Sequence, residues 1–239
     1  MCLSDAYQRR WQPFVRRFLT VAGRLVYVYD LARLCTLFPW PYLKLRALAG
    51  AFDGAKVNLG AGPSRLPGWV HADLNPLRRP DVWIDVRNRW PFRTASIAGI
   101  ATSHLLEHLF DSELSYVLKE AYRVLRPGGF FRVSVPDLDK AIADYLAENP
   151  EGDQELEKRA EKFQELCHYY GGHHQVFNFA RLRKLLLNRG FVDVKRLPFP
   201  QSDFLAEREV IEVDLHPQES LFVECRKPGG STAKDSSSR

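Results

Sequence analysis

A short apolar run, Ala55–Leu59, stops at Gly60-Ala61-Gly62-Pro63, and this junction limits the fold more tightly than any other stretch. An apolar run of that length ending at glycine suits a strand buried on both faces, which occurs in parallel sheets covered by helices. Gly60 and Gly62 allow a tight turn after the strand and let backbone N–H groups come close to a ligand. Further runs at Trp69–Ala72, Val82–Ile84, Ile97–Thr102, Phe130–Val135, Phe191–Leu197 and Ser220–Cys225 read as six more strands.

Between the fourth and fifth runs, Leu105–Leu125 predicts a helix with Leu106, Leu109, Leu114, Val117 and Leu118 on its apolar face. Pro127-Gly128-Gly129 is expected to end it, because proline cannot continue a helix and glycine tolerates the turn. Strand alternating with helix predicts an α/β fold, a Rossmann-like three-layer sandwich around a mostly parallel, seven-stranded sheet with right-handed crossovers. A helical N-terminal extension and a helical insertion after strand five complete the expected architecture. After Pro136 come two predicted helices, Asp137–Leu146 and Asp153–Tyr170, the second with Leu156, Phe163 and Leu166 on one side. A plain crossover needs one. The extra helix lies beyond the carboxyl end of strand five, where ligands bind in open α/β sheets, so residues 138–178 are expected to form a lid over a substrate. Asn178 and Gly190 suit the start and stop of a helix over Phe179–Asn188.

A length of 239 residues holds one well-packed α/β domain with an extension. The domain is placed at residues 55–225. Residues 1–54 form a basic helical extension, and 226–239, rich in Gly, Ser and Lys, a disordered tail. In residues 1–50 eight Arg and Lys face only Asp5 and Asp30. Trp11, Phe14, Phe18 and Val21 recur at helical spacing, interleaved with Arg9, Arg10, Arg16 and Arg17. That pattern fits either a helix packed on the domain or a peripheral contact with a membrane surface. It does not fit a span. Arg24, Asp30 and Arg33 interrupt it, and Leu34–Leu43 is too short and contains Pro39 and Pro41. Cys2, Cys35, Cys167 and Cys225 form no CxxC pair and no signal peptide is visible, which leads to an expectation of reduced thiols in a cytoplasm, with any membrane contact at the inner face.

Three segments now carry a resemblance: Val57-Asn58-Leu59-Gly60-Ala61-Gly62-Pro63, Ser103-His104-Leu105-Leu106-Glu107-His108-Leu109, and Leu125-Arg126-Pro127-Gly128-Gly129. In this order and at these separations the chain resembles class I S-adenosylmethionine-dependent methyltransferases. It is most similar to the type 11-like small-molecule branch often found beside genes for polysaccharide and lipid assembly. The likeness runs over roughly residues 55–194. It implies S-adenosylmethionine as cofactor, with Asn58, Gly60, Ala61 and Gly62 at its methionine end. It places Asp73, followed by Leu74, against both ribose hydroxyls and Asp85 against the adenine amino group, with the Val86 N–H meeting the ring. Ser103 and His104 fall by the amino-acid end, and Glu107 and His108 help shape the site. Asn58 stands where the family more often has an acid, and Ser64 replaces a common third glycine. Only thirteen residues separate Gly60 from Asp73, and Pro63-Ser64-Arg65-Leu66-Pro67-Gly68 cannot hold a full helix, so the first crossover is read as shortened.

His104-Leu105-Leu106-Glu107-His108 also spells H-x-x-E-H, a zinc-peptidase signature in which histidines four apart on a helix bind a metal. Its place after strand four, ahead of Leu-Arg-Pro-Gly-Gly, matches the methyltransferases instead, and no metal is expected. His173 and His174 follow Gly171-Gly172 at the end of the predicted lid. One of them is a candidate general base, since an acceptor attacking a sulfonium methyl loses a proton and histidine titrates in range. His104 is the third catalytic candidate. Positioning alone can supply most of the barrier lowering. The resemblance implies a methyltransferase (EC 2.1.1.-) acting on an oxygen, with nitrogen second, of a small-molecule or saccharide-type acceptor. Two rivals are weighed against it. A nicotinamide-dependent Rossmann enzyme is disfavoured by the missing third glycine and by Pro-Gly-Gly, and a non-catalytic cofactor-binding or membrane-recruited partner protein by the presence of Asp73 and Asp85. Nucleic acid is not an expected substrate, as no Asn-Pro-Pro-Tyr tetrad follows strand four.

Overall fold

Seven strands join in one sheet in the order β3-β2-β1-β4-β5-β7-β6. They are β1 Lys56–Leu59, β2 Trp69–Asp73, β3 Val82–Trp83, β4 Ile97–Ser103, β5 Leu125–Pro136, β6 Val192–Arg196 and β7 Ser220–Arg226. Neighbours from β3 to β5 pair parallel, while β7 runs antiparallel to both β5 and β6. The chain steps outward from β1 to β3 and then returns to β4, so the loops leaving β1 and β4 diverge and open a crevice at their carboxyl ends. This computed structural model describes residues 52–146, 152–169, 172–214 and 216–229. The described residues belong to one compact unit that begins at Ala49. Residues 1–51 of the expected basic extension (1–54) and the last ten residues of the expected tail lie outside the described residues. Among the described residues no helix is long and apolar enough to cross a membrane.

Among the described residues five α-helices accompany the sheet: α1 Asp111–Val124, α2 Leu138–Leu146, α3 Asp153–His168, α4 Phe179–Arg189 and α5 Glu207–Val213. Asn178 caps α4 as expected, its side chain accepting from the Arg181 N–H at 3.0 Å, and Gly190 ends it in the left-handed region. The helix expected from Leu105 begins later. Leu106–His108 is one 3-10 turn, Phe110 is extended, and α1 starts at Asp111, where the Glu113 carboxylate accepts the Phe110 N–H at 3.0 Å. Two acidic residues in the first turn suit the positive end of the helix dipole and fix the start there. Nor does Pro127-Gly128-Gly129 end α1. Leu125 is already extended, and the glycines form the irregular opening of β5, whose register with β4 shifts between Ile97 and Gly99. The last carbonyls of α1 are taken up from the far end of the chain, Lys227 Nζ donating to Tyr122 O and Leu125 O at 2.7 and 2.8 Å.

No helix stands between β1 and β2, in agreement with the shortened crossover. The face it would cover is taken by α5, an element the sequence reading did not foresee. Val210 and Val213 of α5 pack with Leu66, Trp69, Ala101, Phe130 and Leu205. Glu209 bonds Trp69 Nε1 at 2.9 Å and Lys56 Nζ at 2.6 Å, and Ser64 Oγ donates to Glu212 O at 2.9 Å. A second tie is fully buried. Arg132 of β5 donates to Asp214 at the end of α5 (2.6 and 3.0 Å) and to Glu224 of β7 (2.7 Å). Glu224 also accepts from Ser202 Oγ and from the Asp203 N–H at 2.9 Å.

Breaking such a pair strands the remaining charges. Arg132→Met is therefore expected to cost about 3–5 kcal/mol, seen as a fall in Tm of about 8 °C or more. Glu120 offers a pH-dependent case. Burial works to raise its pKa, but hydrogen bonds from Arg123 and the Trp90 N–H prevail and hold it below the usual range. A depressed carboxylate stabilises above its unfolded pKa, and that stability is lost as pH falls through the folded value. Glu120→Gln should lower Tm at pH 7, and the gap to the unmodified protein should close in melts taken at successively lower pH beneath 4.5.

Candidate active site

A cleft of about 990 Å³ opens at the carboxyl ends of the parallel strands. Gly60 and Gly62 after β1, Ser103 at the end of β4 and His104 after it, and Asp137 after β5 form its floor, and α2 and α3 form its outer wall. The floor follows from the topology, since each of those residues ends a parallel strand or follows it by one to a few positions. Gly60 and Gly62 both have left-handed φ, +69° and +54°. A side chain at Gly62 would meet nothing of the protein within 4 Å and would instead fill cleft space.

The N–H groups of this turn do not point at a ligand. Those of Gly60 and Ala61 donate to Ala72 O at 2.8 and 3.3 Å, and that of Gly62 to Asp73 Oδ2 at 2.8 Å. What the turn offers is close approach, not donors. Asp73 Oδ1 accepts the Asn75 N–H at 2.7 Å. A carboxylate has about four acceptor positions, so this one keeps capacity for a vicinal diol. Asp85, like Asp73, is not among the residues lining the cleft, and it is gripped by Arg87, Nε to Oδ1 and Nη2 to Oδ2, both at 2.9 Å. Leu74 and Val86 give their carbonyls to Trp83 Nε1 and Trp90 Nε1, at 2.7 and 2.9 Å, and Asn58 and Ala61 are buried behind the turn. Ser103 lines the cleft, with its buried hydroxyl unpartnered among the described residues. Left-handed glycines opening onto the cleft and spare acceptor capacity at Asp73 fit an adenosyl cofactor. The engagement of Asp85 leaves that residue's expected role without support in the geometry.

The histidines divide. His104, itself at a left-handed φ of +49°, lines the cleft and shares a 2.7 Å hydrogen bond between Nε2 and Ser220 Oγ. Ser220 donates its own hydrogen to His216 O at 2.6 Å, so His104 Nε2 is the donor. Burial, then the nearby His216, His173 and His108, push the His104 pKa down to about 3, and the ring stays neutral. His173 also lines the cleft, with Nδ1 bonded to Leu166 O at 2.7 Å. His174 does not. Its ring stacks on Phe110 with centroids 3.9 Å apart, and only its N–H reaches inward, to Glu107 O at 2.7 Å. Glu107 is buried beneath the cleft, and burial first, then Glu219, lifts its carboxyl to about 8. His104 and His108 share no helical face, because the left-handed His104 precedes a single 3-10 turn. The helical geometry of an H-x-x-E-H peptidase is absent.

Lys140, Lys158 and Lys162 on the outer wall, Arg78 after β2 and His216 before β7 were not foreseen as lining residues. Lys158 and Lys162 are one helical turn apart, which was the signal available for one face of α3.

The family model described as a methyltransferase domain matches residues 75–133. That span runs from the ribose-side turn after β2 through α1 into β5. The likeness to a methyltransferase domain is carried by residues 75–133. No curated protein matches the sequence. Among solved structures, the domain is similar to an S-adenosylmethionine-dependent methyltransferase from Thermotoga maritima at 20% identity, covering 88% of this chain and 96% of that one, with a TM-score of 0.46. A Burkholderia thailandensis 1,6-didemethyltoxoflavin-N1-methyltransferase with bound S-adenosylhomocysteine matches at 17% identity, 89% and 90% coverage and a TM-score of 0.44. A possible exported protein from Bordetella parapertussis matches at 14% identity, 78% and 66% coverage and a TM-score of 0.49.

Because the His174 ring contributes only its stack on Phe110, His174→Ala should change stability by less than about 1 kcal/mol. S-adenosylhomocysteine affinity, read by calorimetry, should stay within about threefold of the unmodified protein.

Proposed function

We propose that this chain transfers a methyl group from S-adenosylmethionine to an oxygen, with nitrogen second, of a hydroxyl-bearing small-molecule or saccharide-type acceptor. The observation that carries the reading is the lining of the cleft away from the glycine turn. Lys140, Asp144, Glu155, Lys158, Glu165 and His173 face it. A wall so rich in charged donors and acceptors suits an acceptor that must be held by many hydrogen bonds rather than by apolar contact. Tyr145, Phe163 and Tyr169 supply flat surfaces among them, as sugar rings require.

Bound S-adenosylmethionine supplies an electrophilic methyl group on a sulfonium centre. The turn at Gly60 and Gly62 admits its amino-acid end without a side-chain clash, and Asp73 accepts from the ribose hydroxyls. In this reading α2 and α3 wall off the acceptor from water and hold it in line, which accounts for most of the rate. His173 is the histidine that lines the acceptor side of the cleft. Its Nδ1 is fixed on Leu166 O, and its Nε2 makes no hydrogen bond among the described residues.

Calorimetric titration with S-adenosylhomocysteine tests the first half. Asp73→Ala removes the acceptor of the ribose hydroxyls and of the Gly62 and Asn75 N–H groups. It is expected to weaken binding by about 10- to 100-fold. No binding by the unmodified protein would sink the proposal, and equal binding by the variant would remove Asp73 from it. Transfer of a labelled methyl group to a panel of mono- and disaccharides and small hydroxylated acceptors, with the product bond assigned by NMR, tests the second half. Labelling confined to amines would overturn the oxygen assignment.

A further inference from the structure

Two imidazoles and a carboxylate meet on the inner wall of the cleft. One ring nitrogen each of His108 and His173 and one carboxylate oxygen of Glu107 all lie within 4.8 Å of one another. The two rings come from distant parts of the chain and stand edge to face, centroids 4.8 Å apart. Both are fixed from behind. His108 Nδ1 donates to Gly172 O at 2.9 Å, and His173 Nδ1 donates to Leu166 O at 2.7 Å. A carbonyl can only accept, so each Nδ1 carries the hydrogen and each Nε2 keeps its lone pair. Metal-binding histidines are held in this way, with the remote nitrogen on a backbone carbonyl.

Glu107 supplies the second, independent observation. Its side chain is 1% exposed, and neither carboxylate oxygen has a hydrogen-bond partner among the described residues. His104 Nδ1 lies 3.3 Å from Oε1 but without the alignment of a hydrogen bond. A buried carboxyl group with no partner carries a desolvation cost, and a cation at this point would remove that cost. The cluster is also preassembled. Glu107 O accepts the N–H groups of His174 and Gln175 at 2.7 and 3.0 Å, which ties the turn carrying Glu107 and His108 to the loop carrying His173.

We propose that Glu107, His108 and His173 form a site for one divalent first-row transition ion, of the zinc, manganese or iron type, whose open positions take the acceptor hydroxyl. Two imidazoles with one carboxylate suit these ions and not calcium, which takes oxygen ligands only. With bonds of about 2.1 Å, tetrahedral ligands sit about 3.4 Å apart. The three side chains therefore close by roughly an ångström on binding. A hydroxyl held there loses its proton more readily, which is what an oxygen acceptor needs. The acceptor O–H bond then breaks with its proton going to solvent, the oxygen bonds to the methyl carbon, and the carbon–sulfur pair returns to sulfur as sulfonium becomes thioether. Only this last role rests on the methyltransferase reading; the metal site stands on its own geometry.

The test uses the full chain, stripped with a chelator that is then removed. It is titrated with Zn²⁺ in a calorimeter and with Co²⁺ by visible absorption, with S-adenosylhomocysteine titrated in parallel. One ion per chain is expected, with His173→Ala and Glu107→Gln each weakening Zn²⁺ by about 100-fold and leaving S-adenosylhomocysteine affinity within threefold. That retained affinity shows that the variants are folded. Unmodified protein that binds S-adenosylhomocysteine but neither metal overturns the proposal. So does a His173→Ala/Glu107→Gln double variant that binds Zn²⁺ as tightly as its parent. Metal binding lost in the variants, with no S-adenosylhomocysteine binding by any form, upholds the metal site and overturns the methyltransferase reading instead.

Discussion

The reversal of strand order between β1 and β4 is the constraint on which the rest of the molecule depends. Two parallel strands that share a ladder but send their loops in opposite directions must leave an opening at their carboxyl ends. Gly60, Gly62, Ser103 and His104 face that opening because they lie at or just beyond the carboxyl ends of those two strands. Asp73, at the end of the neighbouring strand, then locks the first loop by accepting the Gly62 N–H. The turn is thus held by its own fold, and a bound ligand is not needed to define it.

The shortened first crossover shows how one local deficit is met at long range. Six residues rich in proline and glycine could not form a covering helix, and the exposed face of β1, β2 and β4 would have been left bare. The chain covers it with α5, more than 130 residues later, through Glu209 on Trp69 and Lys56. The same helix ends at Asp214, which is gripped by Arg132 in the middle of the sheet. Removing an arginine from such a pair leaves charge with no solvent to hold it, so the contact fixes β5, β7 and α5 in one arrangement.

The site itself combines a rigid floor with a wall assembled from further along the chain. Glu107 and His108 come from the turn after β4, His173 from the loop before α4, and backbone hydrogen bonds from His174 and Gln175 join the two. His173 and His174 are adjacent in sequence and opposite in role: one ring enters the cleft and the other lies on Phe110. Nothing in the two side chains distinguishes them. The direction is set by how the loop crosses Glu107.

The sequence by itself determined the strands, their alternation with helices and the glycine turn, because apolar runs, caps and left-handed glycines are decided within a few residues. Val57, Leu59, Asn178 and Gly190 announce their structural parts locally. Helix ends were less legible. α1 starts at Asp111 because Glu113 reaches back to Phe110, and a long-range lysine, Lys227, serves its last carbonyls. The covering helix α5, the capture of Asp85 by Arg87, the direction of His173 and the meeting of Glu107, His108 and His173 were decided only by the tertiary structure. Each depends on a contact between side chains or segments whose geometry no local pattern fixes, and burial there settles which polar group finds a partner and which does not.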